Sequence, residues 1–259
     1  MTLPAQLILT ALPGMPLVEP GDDLASLILG ALQSAGLILE DGDVLAVAQK
    51  VVSKAEDRLV NLNEVTPSPE AERLGLETEK DARLVHLILE ESREVLRTRP
   101  GLIIVEHRLG FVCANAGVDN SNVRGSTGLA KDWVLLLPQD PDASAQELRR
   151  RIREATQTEV GILIIDSHGR AWRMGTVGIA IGVAGFPALV DLRGWPDLYG
   201  DMLRVTQVGL ADELAAAASI LMGQAAEGRP VIHVRGLPYP LRNGSLAELL
   251  RPRAQDLFR

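Results

Sequence analysis

The sequence lacks the residues on which several classes of protein depend. Among its 259 residues there is one cysteine, Cys113, so an intrachain disulfide and a cysteine-rich metal site are both excluded. Aromatic residues make up only 3% of the chain, and the core must therefore consist mainly of Leu, Val, Ile and Ala. Cys113 stands between apolar residues of a predicted strand, which predicts a buried and unreactive thiol.

Positive charge is also scarce. Lys and Arg together number 26 against 34 Asp and Glu, which gives a formal net charge of -8 at pH 7. A basic surface for nucleic acid is therefore not expected. An anionic substrate would need a local basic site or a bound cation to offset the field of the acidic protein.

Long apolar segments and recognisable targeting signals are missing as well. The longest apolar run, 175–190, is broken by four glycines and a proline, so we expect close backbone packing there and no membrane span. The N-terminus lacks the basic start of a signal peptide, and a cytoplasmic location without a membrane partner is expected. Neither a Gly-x-x-x-x-Gly-Lys-Ser/Thr motif nor a Gly-x-Gly-x-x-Gly after a strand is present, which argues against those two nucleotide-binding folds.

Apolar periodicity predicts alternating strands and helices. Strands are expected at 6–11, 44–48, 102–107, 111–115, 160–165 and 230–235. Helices are expected at 22–36, 79–97, 144–156 and 212–221, with another after Ser245. The helices that start at 144 and 245 each begin with Ser and Glu three residues apart, the pattern of a capping box (144–147 and 245–248). The short turn between 102–107 and 111–115 predicts a hairpin. The fold class is therefore α+β (mixed α/β), with mixed sheets and antiparallel hairpins flanked by helices, in one domain over residues 1–259.

The strand at 160–165 leads into the most informative polar residues. The apolar run stops abruptly at Asp166, Ser167, His168 and Gly169. A strand that delivers an acid and a hydroxyl to its exposed end is a common way to build a metal or phosphate site, whereas an ordinary turn explains the same residues without any function. His168 has no second histidine at ligand spacing, which favours an exposed imidazole in a turn.

Asp119 occupies a similar position, since it also follows an apolar strand and has Asn122 nearby. Together with Asp166, Ser167 and the side-chain carbonyl of Gln224 it would form an oxygen-only ligand set, which suits Mg²⁺ or Mn²⁺. By sequence spacing alone, two unrelated turn aspartates are the simpler interpretation.

Basic residues near these acids are candidate phosphate partners. Lys50 and Lys54 lie four residues apart after the strand 44–48, although such a pair is more often a solvated face. Arg170 and Arg173, just beyond Asp166, favour an anionic substrate in the same way, with structural ion pairs as the alternative.

Several segments form a pattern that is far more specific together than any one of them is alone. They are 12–17 (LPGMPL), 41–44 (DGDV), 49–56 (QKVVSKAE), 115–122 (NAGVDNSN), 166–170 (DSHGR) with 172–173 (WR), 192–194 (LRG) with 197–200 (DLYG), and 211–224 from ADE to LMGQ. In this order, up to about Leu237, the chain resembles the coenzyme F-420 gamma-glutamyl ligase family.

The resemblance implies an enzyme that uses GTP and a divalent cation to join the amine of L-glutamate to a carboxylate of the deazaflavin coenzyme precursor. An acyl phosphate would be the intermediate, GDP and phosphate would be released, and further glutamates would be attached through γ-carboxylates. It also implies a homodimer of intertwined protomers, and the chain is too short for the flavin reductase domain that some relatives carry. A ligase of the same scaffold for another acid and amine, and a non-catalytic GTP- or coenzyme-binding protein, remain alternatives.

Carried over by position, the resemblance also assigns residues. GTP would contact Pro13, Gly14, Met15, Pro16, Leu17, Gln49, Lys50, Lys54, Asn122, Met222, Gly223, Gln224, Ala225, Ala226, Glu227, Gly228 and Arg229. Asp119 and Asp166 would hold one Mg²⁺ or Mn²⁺, Ser167 and Gln224 would serve a second, and Asp119, Asp166 and Lys54 are the candidate catalytic residues.

Two of these positions depart from the family pattern, and one cofactor is left open. Relatives usually carry Thr where this chain has Ser167, which keeps the hydroxyl. Some carry Glu where it has Gln224, so the second cation should bind more weakly here. The resemblance leaves open whether a potassium ion takes part.

Overall fold

The computed structural model describes residues 5–125 and 129–257. Within these residues the chain forms twelve strands and six α-helices. The strands are β1 (Ile8–Ala11), β2 (Val44–Ala48), β3 (Leu59–Asn61), β4 (Ser92–Arg99), β5 (Leu102–His107), β6 (Val112–Ala114), β7 (Trp133–Leu135), β8 (Gly161–Arg170), β9 (Arg173–Ala184), β10 (Val190–Asp191), β11 (Gln207–Val208) and β12 (Val231–Arg235). The helices are α1 (Leu24–Ser34), α2 (Gln49–Ala55), α3 (Pro69–Thr78), α4 (Ala82–Glu90), α5 (Pro141–Thr156) and α6 (Leu210–Met222).

A five-stranded mixed sheet with the order β1-β12-β2-β8-β9 forms the centre of the fold. Only β2 and β8 run parallel, and the other neighbours are antiparallel. Successive side chains of β2 point to opposite faces: Leu45 and Val47 pack in a core shared with α1 and α5, while Val44 and Ala46 pack with α6. Because helices cover both faces, the central strands are unbroken apolar runs.

The segment between α2 and α5 adds smaller antiparallel sheets. β4, β5 and β6 form a three-stranded sheet, and β3 pairs with β7. Ile103 and Val105 of β5 share a core with Val85 and Ile88 of α4. The α+β class with mixed sheets and antiparallel hairpins is therefore confirmed, as is the predicted hairpin of β5 and β6.

The prediction of one helix over 79–97 is wrong. α3 ends where Glu79 takes a left-handed backbone conformation, and α4 begins after Asp81, whose side chain accepts the amide of Arg83. After α4 ends at Glu90, residues 92–99 form β4 and pair with β5. The helical periodicity of this segment is overridden by the turn at Gly101, which brings an apolar strand alongside.

Two helix starts predicted from capping boxes are also wrong. α5 begins at Pro141, earlier than Ser144, because the side chain of Asp140 accepts the amide of Ala143. Up to residue 257, the sequence after Ser245 forms 3₁₀ turns at Leu246–Glu248 and Arg253–Gln255 and no α-helix. Glu248 instead accepts backbone amides near the end of β9, those of residues 188 and 189.

The glycines of β9 allow close approach of helices on both faces of the strand. A Cβ at Gly178 would lie 2.6 Å from the carbonyl oxygen of Ala215 in α6, and one at Gly182 would lie 2.5 Å from that of Pro141 in α5. Close backbone packing, as predicted, is therefore the role of these two glycines. Across the described ranges, no helix is both long and apolar enough to cross a membrane.

Candidate active site

A cleft of about 630 Å³ opens beside the carboxyl end of β2. It is lined by the loop 15–18, the start of α2, the loop 117–122, residues 165–169 of β8 and the loop 222–230 that follows α6. These segments are distant in sequence. The fold brings together in this cleft every residue that the resemblance assigns to the site except Pro13 and Gly14, which lie on the adjoining loop outside the lining.

The expectation that the strand ends at Asp166 is wrong. β8 continues to Arg170, with Asp166 opposite Ile179 of β9. The strand that ends at this level is β2, the parallel neighbour of β8. Its last residue, Ala48, pairs with Ile165, and α2 begins at the next residue. Asp166 therefore lies just past the carboxyl end of a parallel strand, where open α/β sheets bind their ligands.

Asp119 is held by the side chain of Lys50 and by residues of its own loop. Its backbone bridges to Leu135, and its carboxylate lies 2.8 Å from the ammonium of Lys50. The amide of Ser121 donates to Oδ1 over 2.6 Å, and the Ser121 hydroxyl donates to Oδ2 over 3.1 Å. Burial raises the pKa of Asp119, but Lys50 and Ser121 outweigh that effect and the pKa lies below its ordinary value. The carboxylate is therefore ionised near neutral pH, as a metal ligand must be.

Both lysines of α2 reach into the cleft, which contradicts the alternative of a solvated lysine face. Lys50 donates to the carbonyl and hydroxyl oxygens of Ser121 over 3.0 and 2.6 Å, and Lys54 donates to the carbonyl oxygen of Asn122 over 2.9 Å. The amide of Asn122 in turn donates to the carbonyl oxygen of Ala225 over 3.1 Å. Burial, and then the charge of Lys50, lowers the pKa of Lys54. Two ammonium groups thus lie against the loop 117–122.

The remaining oxygen ligands lie on β8 and after α6. The hydroxyl of Ser167 donates to Oε1 of Gln224 over 2.6 Å, and Oδ2 of Asp166 lies 2.9 Å from Nε2 of His168. Two carboxylates, a hydroxyl and an amide carbonyl are hard oxygen donors of the kind that Mg²⁺ and Mn²⁺ accept, so the residues fit these ions.

The candidate metal ligands combine two carboxylates with two neutral oxygen donors. In residues 5–125 and 129–257 there is no cluster of three or more His, Cys, Asp or Glu that could hold a metal ion. Mg²⁺ usually takes one or two carboxylates together with waters and substrate phosphates, so a mixed set of this kind is consistent with an ion bound jointly with a nucleotide.

Several predicted residues lie at the margin of the site. The side chain of Gln49 is 2% exposed, and its carbonyl oxygen accepts the hydroxyl of Ser53 over 2.9 Å within α2.

Arg170 and Arg173 are exposed at the far end of the β8–β9 hairpin and do not line the cleft. Their predicted role toward an anionic substrate therefore gains no support from position.

Two residues at the site were missed by sequence reasoning. The prediction that His168 is exposed is wrong: it is 7% exposed and bound to Asp166. Residues i and i+2 of a strand share a face, so extending the strand past Asp166 would have placed this pair together. Ser121 follows Asp119 by two residues, the spacing at which an aspartate accepts a nearby backbone amide.

Cys113, the only cysteine, lies behind the site. Burial, followed by the negative charge of Asp166, raises the pKa of its thiol to about 12. The prediction of a buried and unreactive thiol is confirmed.

Known proteins resemble this chain along nearly its whole length. A family described as F420-0:Gamma-glutamyl ligase matches residues 14–236. A Coenzyme F420:L-glutamate ligase of Methanothermobacter thermautotrophicus is 49% identical over 253 residues, which cover 97% of this chain and 98% of the relative. Its namesake in Methanopyrus kandleri is 48% identical over 246 residues, 93% of each chain. That of Archaeoglobus fulgidus is 45% identical over 246 residues, 95% of this chain and 94% of the relative. The chain therefore belongs to the F420-0:gamma-glutamyl ligase family.

Proposed function

We propose that this protein is a GTP-dependent ligase that joins the amine of L-glutamate to a carboxylate of the coenzyme F420 precursor. Family membership and the names of the relatives support a glutamate ligase acting on coenzyme F420. The observation that carries the nucleotide part of the proposal is that Lys50, Lys54, Asp119 and Asp166 border one cleft. A metal–nucleotide complex requires ammonium groups for its phosphate oxygens and carboxylates for its metal ion at the same place.

The triphosphate would lie against the lysines and the loop 222–229. Lys50 and Lys54 present ammonium groups, and ammonium groups are strong partners of phosphate oxygens. Arg229 also lines the cleft, and the remaining predicted GTP contacts are on the same loops. These positive charges offset the net charge of -8, which would otherwise repel both GTP and an acidic coenzyme.

Asp119 and Asp166 would hold one divalent cation, and Ser167 with Gln224 would serve a second. When bound, such ions neutralise the charge that builds up as a phosphoryl group is transferred. Lys50 now donates to Oδ2 of Asp119, so it would exchange this partner for a phosphate oxygen when the metal–nucleotide complex enters.

The acceptor carboxylate needs activation because oxide is too poor a leaving group. Transfer of the γ-phosphoryl group of GTP to a carboxylate oxygen forms an acyl phosphate and GDP. The amine of glutamate then attacks the acyl carbon, so that a C–N bond forms, the C–O bond to phosphate breaks and the amine loses a proton. Holding the reactants in one cleft supplies much of the acceleration. Repetition on the γ-carboxylate of the added glutamate would extend the chain.

Phosphate release in reactions that omit one component at a time tests this proposal. We expect GDP and phosphate only when GTP, Mn²⁺, L-glutamate and the glutamate-free precursor are all present. Asp166→Asn should abolish turnover. Asp142→Asn is the matched control, because Asp142 is a partly buried aspartate outside the cleft whose Oδ1 accepts the amides of both Val183 and Leu246, and asparagine keeps one such oxygen.

Each competing function predicts a different result. Full activity of Asp166→Asn would refute the metal assignment. Turnover with another acid or amine in place of the precursor or glutamate would indicate a ligase of different specificity. Binding of GTP without turnover under any of these conditions would indicate a non-catalytic binding protein.

A homodimer forms part of the proposal. Met174 at the end of the β8–β9 hairpin, and Leu198 and Tyr199 between β10 and β11, are 98%, 99% and 94% exposed in the single chain. Large apolar side chains that are almost fully exposed are typical of an association surface. Sedimentation at micromolar concentration should give twice the mass of one 27.9 kDa chain, and a monomer would contradict this part.

A further inference from the structure

His168 contacts Asp166 within the lining of the cleft and is not among the residues that the resemblance assigns to the site. Its Nε2 atom is 2.9 Å from Oδ2 of Asp166, and its ring is 7% exposed. We propose that His168 is a positioning residue that fixes the Asp166 carboxylate in the orientation needed to bind the divalent cation. This inference rests on the proposed function, because it takes Asp166 to be a metal ligand.

The imidazole is itself fixed from behind by an aromatic stack. The ring of His168 contacts that of Phe111, with centroids 5.4 Å apart and planes at 57°. Phe111 stacks on His107 with centroids 5.1 Å apart and planes at 9°, and His107 is fully buried. A ring packed in this way has few other rotamers available. It can therefore hold its partner in one place, as positioning of a metal ligand requires.

The hydrogen-bonding pattern identifies which nitrogen carries the proton. An ionised carboxylate only accepts, so the contact with Asp166 requires N–H on Nε2 of His168. Nδ1 is buried and has no hydrogen-bond partner within the described part of the chain. Nε2 is therefore the ring nitrogen that makes the hydrogen bond, and through it His168 orients the carboxylate of Asp166.

The expected size of the effect follows from other metal sites. A partner that hydrogen-bonds a metal-binding side chain from behind contributes about 10- to 100-fold to metal affinity or activity. Without the donor, the carboxylate of Asp166 would sample other rotamers and would bind the ion in only a fraction of them. We therefore expect His168→Leu to weaken Mn²⁺ binding by about 10-fold or more.

Mn²⁺ titration of the nucleotide-free protein, followed by the EPR signal of the free ion, measures this without any turnover. His168→Gln should restore most of the affinity, since the longer amide places an N–H near the position of Nε2. His168→Asn should not, because the same amide on a shorter side chain does not reach. Equal affinities of the Gln and Asn variants would overturn the inference, and this comparison remains available if the Leu variant fails to fold.

His233→Leu is the matched control. His233 is 2% exposed, its Nε2 lies 2.8 Å from Oδ2 of Asp43, and its Nδ1 also lacks a hydrogen-bond partner among the described residues. This pair does not line the cleft. Both Leu variants should lower the melting temperature, but only His168→Leu should lower Mn²⁺ affinity. An equal loss of affinity in both would show that the effect is only structural.

The outcomes separate this inference from the proposed function. Unchanged Mn²⁺ affinity in His168→Leu, with the wild type binding normally, overturns the role of His168 and leaves the ligase proposal intact. A wild type that binds no Mn²⁺ with or without GTP overturns the metal assignment itself, and the positioning role is lost with it.

Discussion

Glu91, directly after α4, makes the most quantitative prediction because its carboxylate connects three parts of the chain. Its side chain is 11% exposed and lies 2.8 Å from Nη2 of Arg58 and 2.8 Å from Nε of Arg108. Nε2 of His107 is 3.5 Å away, which is long for a hydrogen bond. His107 is also the histidine that stacks on Phe111, so this cluster supports the aromatic stack behind the candidate site.

The charge of Glu91 depends on these neighbours. Burial raises its pKa, but His107, Arg108 and Arg58 outweigh that effect and lower the pKa from 4.5 to about 2. One pKa unit corresponds to about 1.4 kcal/mol, so ionisation of Glu91 contributes about 3 kcal/mol to the free energy of unfolding. Because the folded-state pKa is the lower one, this contribution is present above 4.5 and is lost as the pH falls toward about 2.

Glu91→Gln should therefore destabilise the protein by about 3 kcal/mol at neutral pH, since it leaves two partly buried arginines without a counter-charge. For a chain of this size the melting temperature should fall by roughly 6–12 °C. Calorimetry from pH 7 to about pH 3 should show the difference between variant and wild type narrowing below the ordinary glutamate pKa of 4.5. The neighbouring Glu90→Gln should cost less than about 0.5 kcal/mol, because that side chain is 59% exposed. A Glu91→Gln melting temperature close to wild type, or a difference that does not change with pH, would show that the charge of Glu91 does not stabilise the fold.

Three further predictions follow from the site and its supports. Lys50→Met should weaken GTP binding but raise the Mn²⁺ affinity of the nucleotide-free protein by about 2- to 5-fold, because it removes an ammonium group 2.8 Å from Asp119. Calorimetric titration measures both affinities, and a fall in both would contradict this prediction. Gln224→Glu should tighten binding of the second Mn²⁺ by about tenfold, roughly 1.4 kcal/mol, and an unchanged binding isotherm would exclude residue 224 as a ligand. Gly182→Ala should cost about 1–3 kcal/mol because its Cβ would lie 2.5 Å from a carbonyl oxygen of α5, whereas Gly30→Ala, in an open helical position, should raise the melting temperature.

The fold was largely predictable where local patterns and packing agree. The apolar runs at 44–48 and 160–165 become β2 and most of the buried part of β8, because both lie between two helical layers. The segment 92–99 was not predictable from local periodicity, since its strand is defined by pairing with β5 across the turn at Gly101. Pairing of this kind depends on residues that the segment itself does not contain.

The site was predictable in its residue types but not in its contacts. Spacing alone favoured unrelated turn aspartates and a solvated lysine pair, and only the resemblance assigned these residues to one metal and nucleotide site. The fold places them together in one cleft. The salt bridge of Lys50 with Asp119 joins residues that are far apart in the sequence, so no spacing rule could indicate it. His168 was misjudged because the apolar run stops at Asp166, although the strand continues with β9 as its partner.

The proposed reaction requires that the cleft hold GTP and use it to attach glutamate to a coenzyme precursor. Mass spectrometry of the coenzyme after incubation with GTP, Mn²⁺ and L-glutamate tests it most directly. We expect the precursor mass to rise by whole glutamyl residues only when GTP is present. Glutamylated product formed equally well without GTP, or a precursor of unchanged mass in the complete reaction, would contradict the proposed reaction.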